Sequence, residues 1–173
     1  KERFGTSWLV GDTLNVGIGQ GFSLATPLQL AVMTARLASG KHITPNIVRA
    51  PSITLADPKP LSVRKNTLDA IRKGMFDVLN EKEGTAFKFR STDETFSIAG
   101  KTGTSQVRKI TREEREKGVI KNEDLPWKMR DHALFTCFAP YKKPKYALSV
   151  VVEHGGSGSK VAAPIARDIM LFQ

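Results

Sequence analysis

A chain of 173 residues with 40% hydrophobic and 25% charged residues fits one folded domain and excludes an intrinsically disordered segment. Its 27 Lys and Arg against 17 Asp and Glu give a net charge of +10, which suits an anionic partner such as nucleic acid, an acidic membrane surface or an anionic polymer. The lone Cys137 excludes an intrachain disulfide, and no stretch is apolar for long enough to span a bilayer. Lys1-Glu2-Arg3 does not begin a signal peptide, so any membrane anchor is expected outside these residues.

Residues 1–25 read as a glycine-rich loop, centred on Gly11-Asp12-Thr13-Leu14-Asn15-Val16-Gly17-Ile18-Gly19-Gln20-Gly21. The glycine spacing does not fit a dinucleotide fingerprint, because the third glycine is misplaced. Thr26 as N-cap, Pro27 in the first turn and Gly40 as stop predict a helix whose Leu30, Met33 and Leu37 share a core-facing side. Pro45 to Pro60 is proline-punctuated and reads as extended around Ile47-Val48 and Ile53-Leu55. A second helix follows, capped by Asn66, with Leu68, Ile71, Met75 and Val78 at helical spacing. Gly84-Thr85-Ala86 opens a short turn or helix, and Thr95 to Ala99 reads as a strand.

Residues 106–131 form a charged excursion in which eight basic residues face six acidic ones, so a solvated insertion suits it better than a nucleic-acid grip. Thr111-Arg112-Glu113-Glu114 has the form of a capping box and predicts a short helix. Ala133 to Ala139, ended by Pro140, and Tyr146 to Glu153 read as two strands whose short connector implies antiparallel pairing. Gly155-Gly156-Ser157-Gly158-Ser159 leads into a closing helix around Pro164 to Leu171. Lys160 is not preceded by glycine, so this is not a phosphate loop. Cys137 is a small core residue on this reading. His132 and His154 flank strands and either line the cleft or, the favoured reading, are structural or exposed, without the acid or cysteine company a metal needs.

The run Ala99-Gly100-Lys101-Thr102-Gly103-Thr104-Ser105 carries the chemistry. A lysine ammonium can attract a substrate carboxylate and hold hydroxyls in a proton network. Thr102 and Thr104 add hydroxyls at alternate strand positions, Gly103 lets a peptide approach the backbone, and the Thr104 N–H is available to a developing oxyanion. An ordinary surface strand with an exposed lysine is the competing interpretation. Gly155 and Gly156 either rim a substrate groove or form a simple turn.

Lys101-Thr102-Gly103 resembles the third active-site motif of penicillin-binding proteins and serine β-lactamases. Together with Gly17-Ile18-Gly19-Gln20-Gly21, Thr26-Pro27-Leu28-Gln29-Leu30-Ala31 and Arg130-Asp131-His132-Ala133-Leu134-Phe135, it makes the chain similar to the C-terminal half of a class B penicillin-binding transpeptidase domain. The wording of residues 11–21 and the Arg-Asp-His segment are most like the elongation-phase enzymes. The division-specific transpeptidases are the second choice, and a serine β-lactamase or D,D-carboxypeptidase of the same fold the third.

The resemblance implies an α+β fold, β-lactamase/transpeptidase-like, with an antiparallel sheet flanked by helices, of which residues 1–173 are the C-terminal portion. It implies a D,D-transpeptidase at the periplasmic face of the bacterial inner membrane, with peptidoglycan stem peptides as substrates, β-lactam antibiotics as acylating inhibitors and a glycosyltransferase partner. Neither cofactor nor metal is implied. Lys101 and Thr104 would be catalytic, and Thr102, Gly103, Thr104 and Ser105 would bind substrate. The family's upstream Ser-x-x-Lys and Ser-x-Asn motifs are not matched, since no Ser-x-Asn occurs and the Ser-x-x-Lys runs at Ser62 and Ser157 are misplaced. The serine is therefore expected on an upstream part of the polypeptide, and these residues alone should not bind penicillin covalently. A non-catalytic binder of an anionic polymer is the reading from another class; the scattered basic residues and scarce Trp and Tyr count against it.

Overall fold

A computed structural model describes residues 5, 7–47, 57–108 and 110–172. Three antiparallel strands, β1 (Ala99–Ser105), β2 (His132–Ala139) and β3 (Tyr146–Val152), lie in the order β1-β2-β3, so β1 is an edge strand among the described residues. Register places Lys101 opposite Thr136, Gly103 opposite Leu134 and Thr104 opposite Ala133. The strand alternation sends Ala133, Phe135 and Cys137 to one face and Leu134, Thr136 and Phe138 to the other. Helices cover both faces, as the sequence led us to expect.

The stretch expected as a glycine-rich loop holds an unexpected helix, α1 (Val10–Gly17), so the expected continuous loop is corrected. Its first turn is closed by the Asp12 carboxylate, which accepts the Leu9 N–H at 2.8 Å, and by the Asp12 N–H on the Leu9 carbonyl. Trp8, Leu14 and Ile18 on this segment remain exposed.

Helix α2 (Pro27–Ser39) keeps the expected limits. Thr26 Oγ1 accepts the Gln29 N–H, Gln29 Oε1 accepts the Thr26 N–H, and Gly40 ends the helix at φ 69°. The buried side differs from expectation: Thr34 and Ala38 are buried, Leu37 packs beside them, and Met33 is 43% exposed. The close approach of α2 to the sheet favours small residues there, and the longer Met33 turns outward. Thr34 Oγ1 shares a short hydrogen bond with Thr136 Oγ1 of β2, tying helix to sheet.

The extended structure expected around Ile47-Val48 and Ile53-Leu55 falls largely outside the described residues, although a bridge joins Lys41 to Pro60. Helix α3 (Lys65–Asn80) starts one residue before the expected cap. Arg64 is its N-cap, and Asn66 lies within the first turn, accepting the Thr67 N–H. Met75 and Leu79 anchor α3 in the core, whereas Ile71 is 39% exposed. Thr95 to Ile98 is not the start of a strand. Asp93 accepts the Thr95 N–H and closes a 3-10 turn at Glu94–Phe96, and strand pairing begins at Ala99.

The insertion carries α4 (Arg112–Lys117) with the expected capping box between Thr111 and Glu114. A π turn at Gly158–Ala162 leads into α5 (Ala163–Leu171), whose Ala163, Ala166 and Met170 are buried. The larger core joins Leu79, Ile98, Phe135, Cys137 and these α5 residues on one sheet face. A smaller one joins Ala38, Met75 and Phe138 on the other. Each fully buried large side chain contributes about 1.5–3 kcal/mol relative to exposure.

Candidate active site

The motif run is a strand along its whole length, and its outer edge pairs with no strand among the described residues. Two side-chain contacts reveal which backbone groups face outward. Lys101 Nζ donates to the Thr102 carbonyl at 2.7 Å, and Gln20 Nε2 donates to the Thr104 carbonyl at 3.2 Å. In an antiparallel ladder the N–H and C=O of one residue point to the same side, and successive residues alternate. Thr102 and Thr104 therefore turn both groups to the open edge, while Lys101, Gly103 and Ser105 turn theirs toward β2.

Side chains divide the same strand by face. Lys101 is exposed and lies on the side of α2, opposite the Thr136 position that Thr34 bonds. A side chain at Gly103 would project onto that face and meet only Leu134, at 3.3 Å from its Cβ, so the space before the strand stays open. Thr102 and Thr104 project onto the opposite face. Thr102 Oγ1 lies 3.2 Å from Thr85 Oγ1, in the turn that follows α3. Ser105 closes the strand, exposed and opposite His132.

The π turn supports β1 from behind. A methyl group on Gly158 would stand 2.3 Å from the Gly103 carbonyl oxygen and 2.5 Å from that of Leu134, so only glycine allows this contact. Gly155 and Gly156 line a cavity of about 500 Å³ together with Thr104, so the loop expected as a groove rim does meet the motif strand.

Other candidates resolve as structural. His132 Nδ1 accepts the His154 N–H at 2.9 Å, and His154 Nδ1 bonds the Arg130 carbonyl at 2.9 Å. These contacts hold His154 at φ 56°, and its ring meets those of Trp127 and His132 edge-on. Cys137 is fully buried, and burial pushes its thiol up to about 12. Ser157 Oγ accepts the Lys160 N–H at 3.3 Å and caps the π turn, while Ser62 is exposed in a bend before α3. Among the described residues no group of three or more His, Cys, Asp or Glu gathers to hold a metal.

Sequence reasoning assigned no role to Gln20 or Thr85. Gln20 lies in a block that the resemblance already used, 84 residues before its partner, so its contact needed the fold. Thr85 gave no signal beyond its place in a turn.

A helix-covered antiparallel sheet with a Lys-Thr-Gly edge strand is the frame of the β-lactamase/transpeptidase-like class of proteins. Residues 1–171 match the family model of the penicillin-binding protein transpeptidase domain, and the chain belongs to that family. It is 38% identical to the peptidoglycan D,D-transpeptidase MrdA of Haemophilus influenzae over 98% of its own length and 27% of that protein's. The structure is similar to penicillin-binding protein PBP2 of Helicobacter pylori in complex with MreC, with TM-score 0.80 and 38% identity, covering 99% of this chain and 29% of that one. It is also similar to Pseudomonas aeruginosa PBP2 in complex with WCK 5153, with TM-score 0.75 and 40% identity, covering 95% and 33%. The chain thus spans about a quarter to a third of the relatives it matches.

Proposed function

We propose that this chain is the C-terminal part of a D,D-transpeptidase that cross-links peptidoglycan stem peptides during cell elongation and is acylated by β-lactams. The observation that carries this is the outward-facing Thr102 and Thr104 backbone beside the exposed Lys101, in a chain of the transpeptidase family. A peptide ending in D-alanine pairs along β1 as an added strand. A serine from an earlier part of the polypeptide attacks the penultimate D-alanine carbonyl, and the terminal D-alanine leaves. The amine of a neighbouring stem peptide then takes the acyl group.

Each residue has a part that its position suits. The Lys101 ammonium draws the substrate carboxylate and keeps neighbouring hydroxyls in one proton network. The Thr102 and Thr104 hydroxyls, on the opposite face of the strand, bind the peptide that lies along it. The Thr104 N–H, on the open edge, stabilises the oxyanion, a role worth about 3–4 kcal/mol for one such donor. Gly103 and Ser105 shape the strand, and Gly155 and Gly156 rim the groove. Lys101 Nζ and Gln20 Nε2 occupy the two outward carbonyls and must yield them for a peptide to pair there.

The reading places the enzyme at the periplasmic face of the inner membrane, with its anchor outside these residues and a glycosyltransferase as partner. No helix among the described residues is long and apolar enough to cross a membrane. The test is labelling by a fluorescent penicillin. The full-length polypeptide should label on a serine outside residues 1–173, Lys101→Ala should slow labelling at least 100-fold, and the 173-residue segment should not label. A penicilloyl adduct on Ser62 or Ser157, or unchanged labelling of Lys101→Ala, would overturn it.

A further inference from the structure

The cavity beside Thr104 has a charge that the proposed chemistry does not use. Lys121, Arg130 and Lys160 line it against a single carboxylate, Glu123, an excess of two positive charges. Lys121 and Glu123 stand 4.0 Å apart, both exposed, and Lys160 forms no ion pair among the described residues. The Arg130 guanidinium is fixed by main-chain acceptors instead of an acid. Its Nε donates to the Leu125 carbonyl at 3.0 Å and its Nη2 to the Glu123 carbonyl at 3.2 Å.

The walls are built rather than loose. Asn122 Nδ2 donates to the Asp131 carboxylate at 3.0 Å, and the Asp131 N–H returns to Asn122 Oδ1 at 2.8 Å. The Gly156 N–H donates to the Asp131 carbonyl at 2.8 Å, locking the glycine loop to the insertion. The Asp131 carboxylate also accepts the Val107 N–H at 3.4 Å.

Strand alternation decides what reaches this space. A peptide paired along β1 projects its side chains alternately to the two faces of the sheet. Lys101 serves one face, and the cavity lies on the other, below Thr104. We propose that the cavity is a subsite for a second, internal carboxylate of the peptide substrate, distinct from its C-terminal carboxylate. The proposal rests on the transpeptidase reading above and names the substrate class that the same edge selects: peptides with an acidic group on the Thr104 side.

The test uses the full-length polypeptide and two dye-labelled peptides ending in D-alanine, one with a free internal carboxylate and one with that group amidated. Binding is read by fluorescence anisotropy at low salt, where an exposed charge contact is least screened. The wild type should prefer the carboxylate peptide about tenfold. Lys121→Gln/Lys160→Gln should lose that preference, Lys160→Arg should keep it, and penicillin labelling should be equal in all. Equal affinity for both peptides in the wild type, or an unchanged preference in the double variant, would overturn the subsite while labelling upholds the serine enzyme. Absent labelling with an intact, lysine-dependent preference would sink the enzyme reading and leave the subsite standing.

Discussion

Gly158 lies directly against the backbone of Gly103, so close that one added methyl would stand 2.3 Å from the Gly103 carbonyl oxygen. The π turn and the motif strand are thereby held at backbone contact distance. Gly158→Ala should push β1 off the turn or strain it, costing about 1–3 kcal/mol as overpacking does. Urea denaturation reads the loss, and penicillin labelling of the full-length polypeptide should slow with it. Wild-type stability in the variant would show that the contact is slack.

Thr34 and Thr136 link α2 to the sheet beneath Lys101. Thr34 Oγ1 also lies 2.8 Å from the Leu30 carbonyl and Thr136 Oγ1 3.1 Å from that of Leu148, and each hydroxyl has only one proton to share. Thr34→Val should cost about 1 kcal/mol by leaving a buried hydroxyl short of a partner, and Thr34→Val/Thr136→Val should cost less than the sum of the singles. A double-mutant cycle by denaturation checks this. Strict additivity would mean the two hydroxyls act independently.

Arg108 holds Glu114 in a two-pronged pair at 2.8 and 2.9 Å, while Glu114 also caps α4. Its carboxyl is held below the usual range, first by the Arg108 hydrogen bond and then by the Thr111 backbone N–H. A lowered folded-state pKa stabilises the fold above the ordinary glutamate value, near 4.3, and loses that contribution as pH falls through the folded value. NMR titration should show Glu114 protonating below the ordinary glutamate value. Glu114→Gln should remove this acid-sensitive part of α4 stability, and titration of Glu114 at the ordinary glutamate value would refute it.

Cys137 sits in the core with its thiol raised to about 12 by burial. A raised pKa favours the neutral thiol, so its contribution is complete below the unfolded value near 8.5 and is lost as pH climbs toward 12. A thiol reagent at pH 8 should therefore react with the folded protein orders of magnitude more slowly than with the urea-unfolded chain. Prompt reaction of the folded protein would place the sulfur at the surface.

Periodicity and capping found α2, β2 and β3 almost to the residue and the start of α4, because Thr26, Gly40, Thr111, Glu114 and Pro140 are local signals with local causes. The Lys101 edge was legible through its motif. Sequence alone misplaced Met33 into the core, since helical spacing marks an apolar side but not how closely a sheet approaches it. It gave Leu79 no place there, although that residue is fully buried. Helix α1 was hidden by glycines at both ends. The cavity beside Thr104 was invisible because Lys121, Arg130 and Lys160 come from separate segments that only the Asn122–Asp131–Gly156 hydrogen bonds bring together.

The three-stranded sheet has two dissimilar margins. At one, β1 sets polar Lys101, Thr102 and Thr104 along an edge that no strand among the described residues covers. At the other, β3 leaves Tyr146 exposed and turns Leu148 and Val150 against the core beneath the sheet. Charged and polar side chains beside an open strand edge discourage another edge from stacking onto it, so the motif margin can stay unpaired without seeding fibrils.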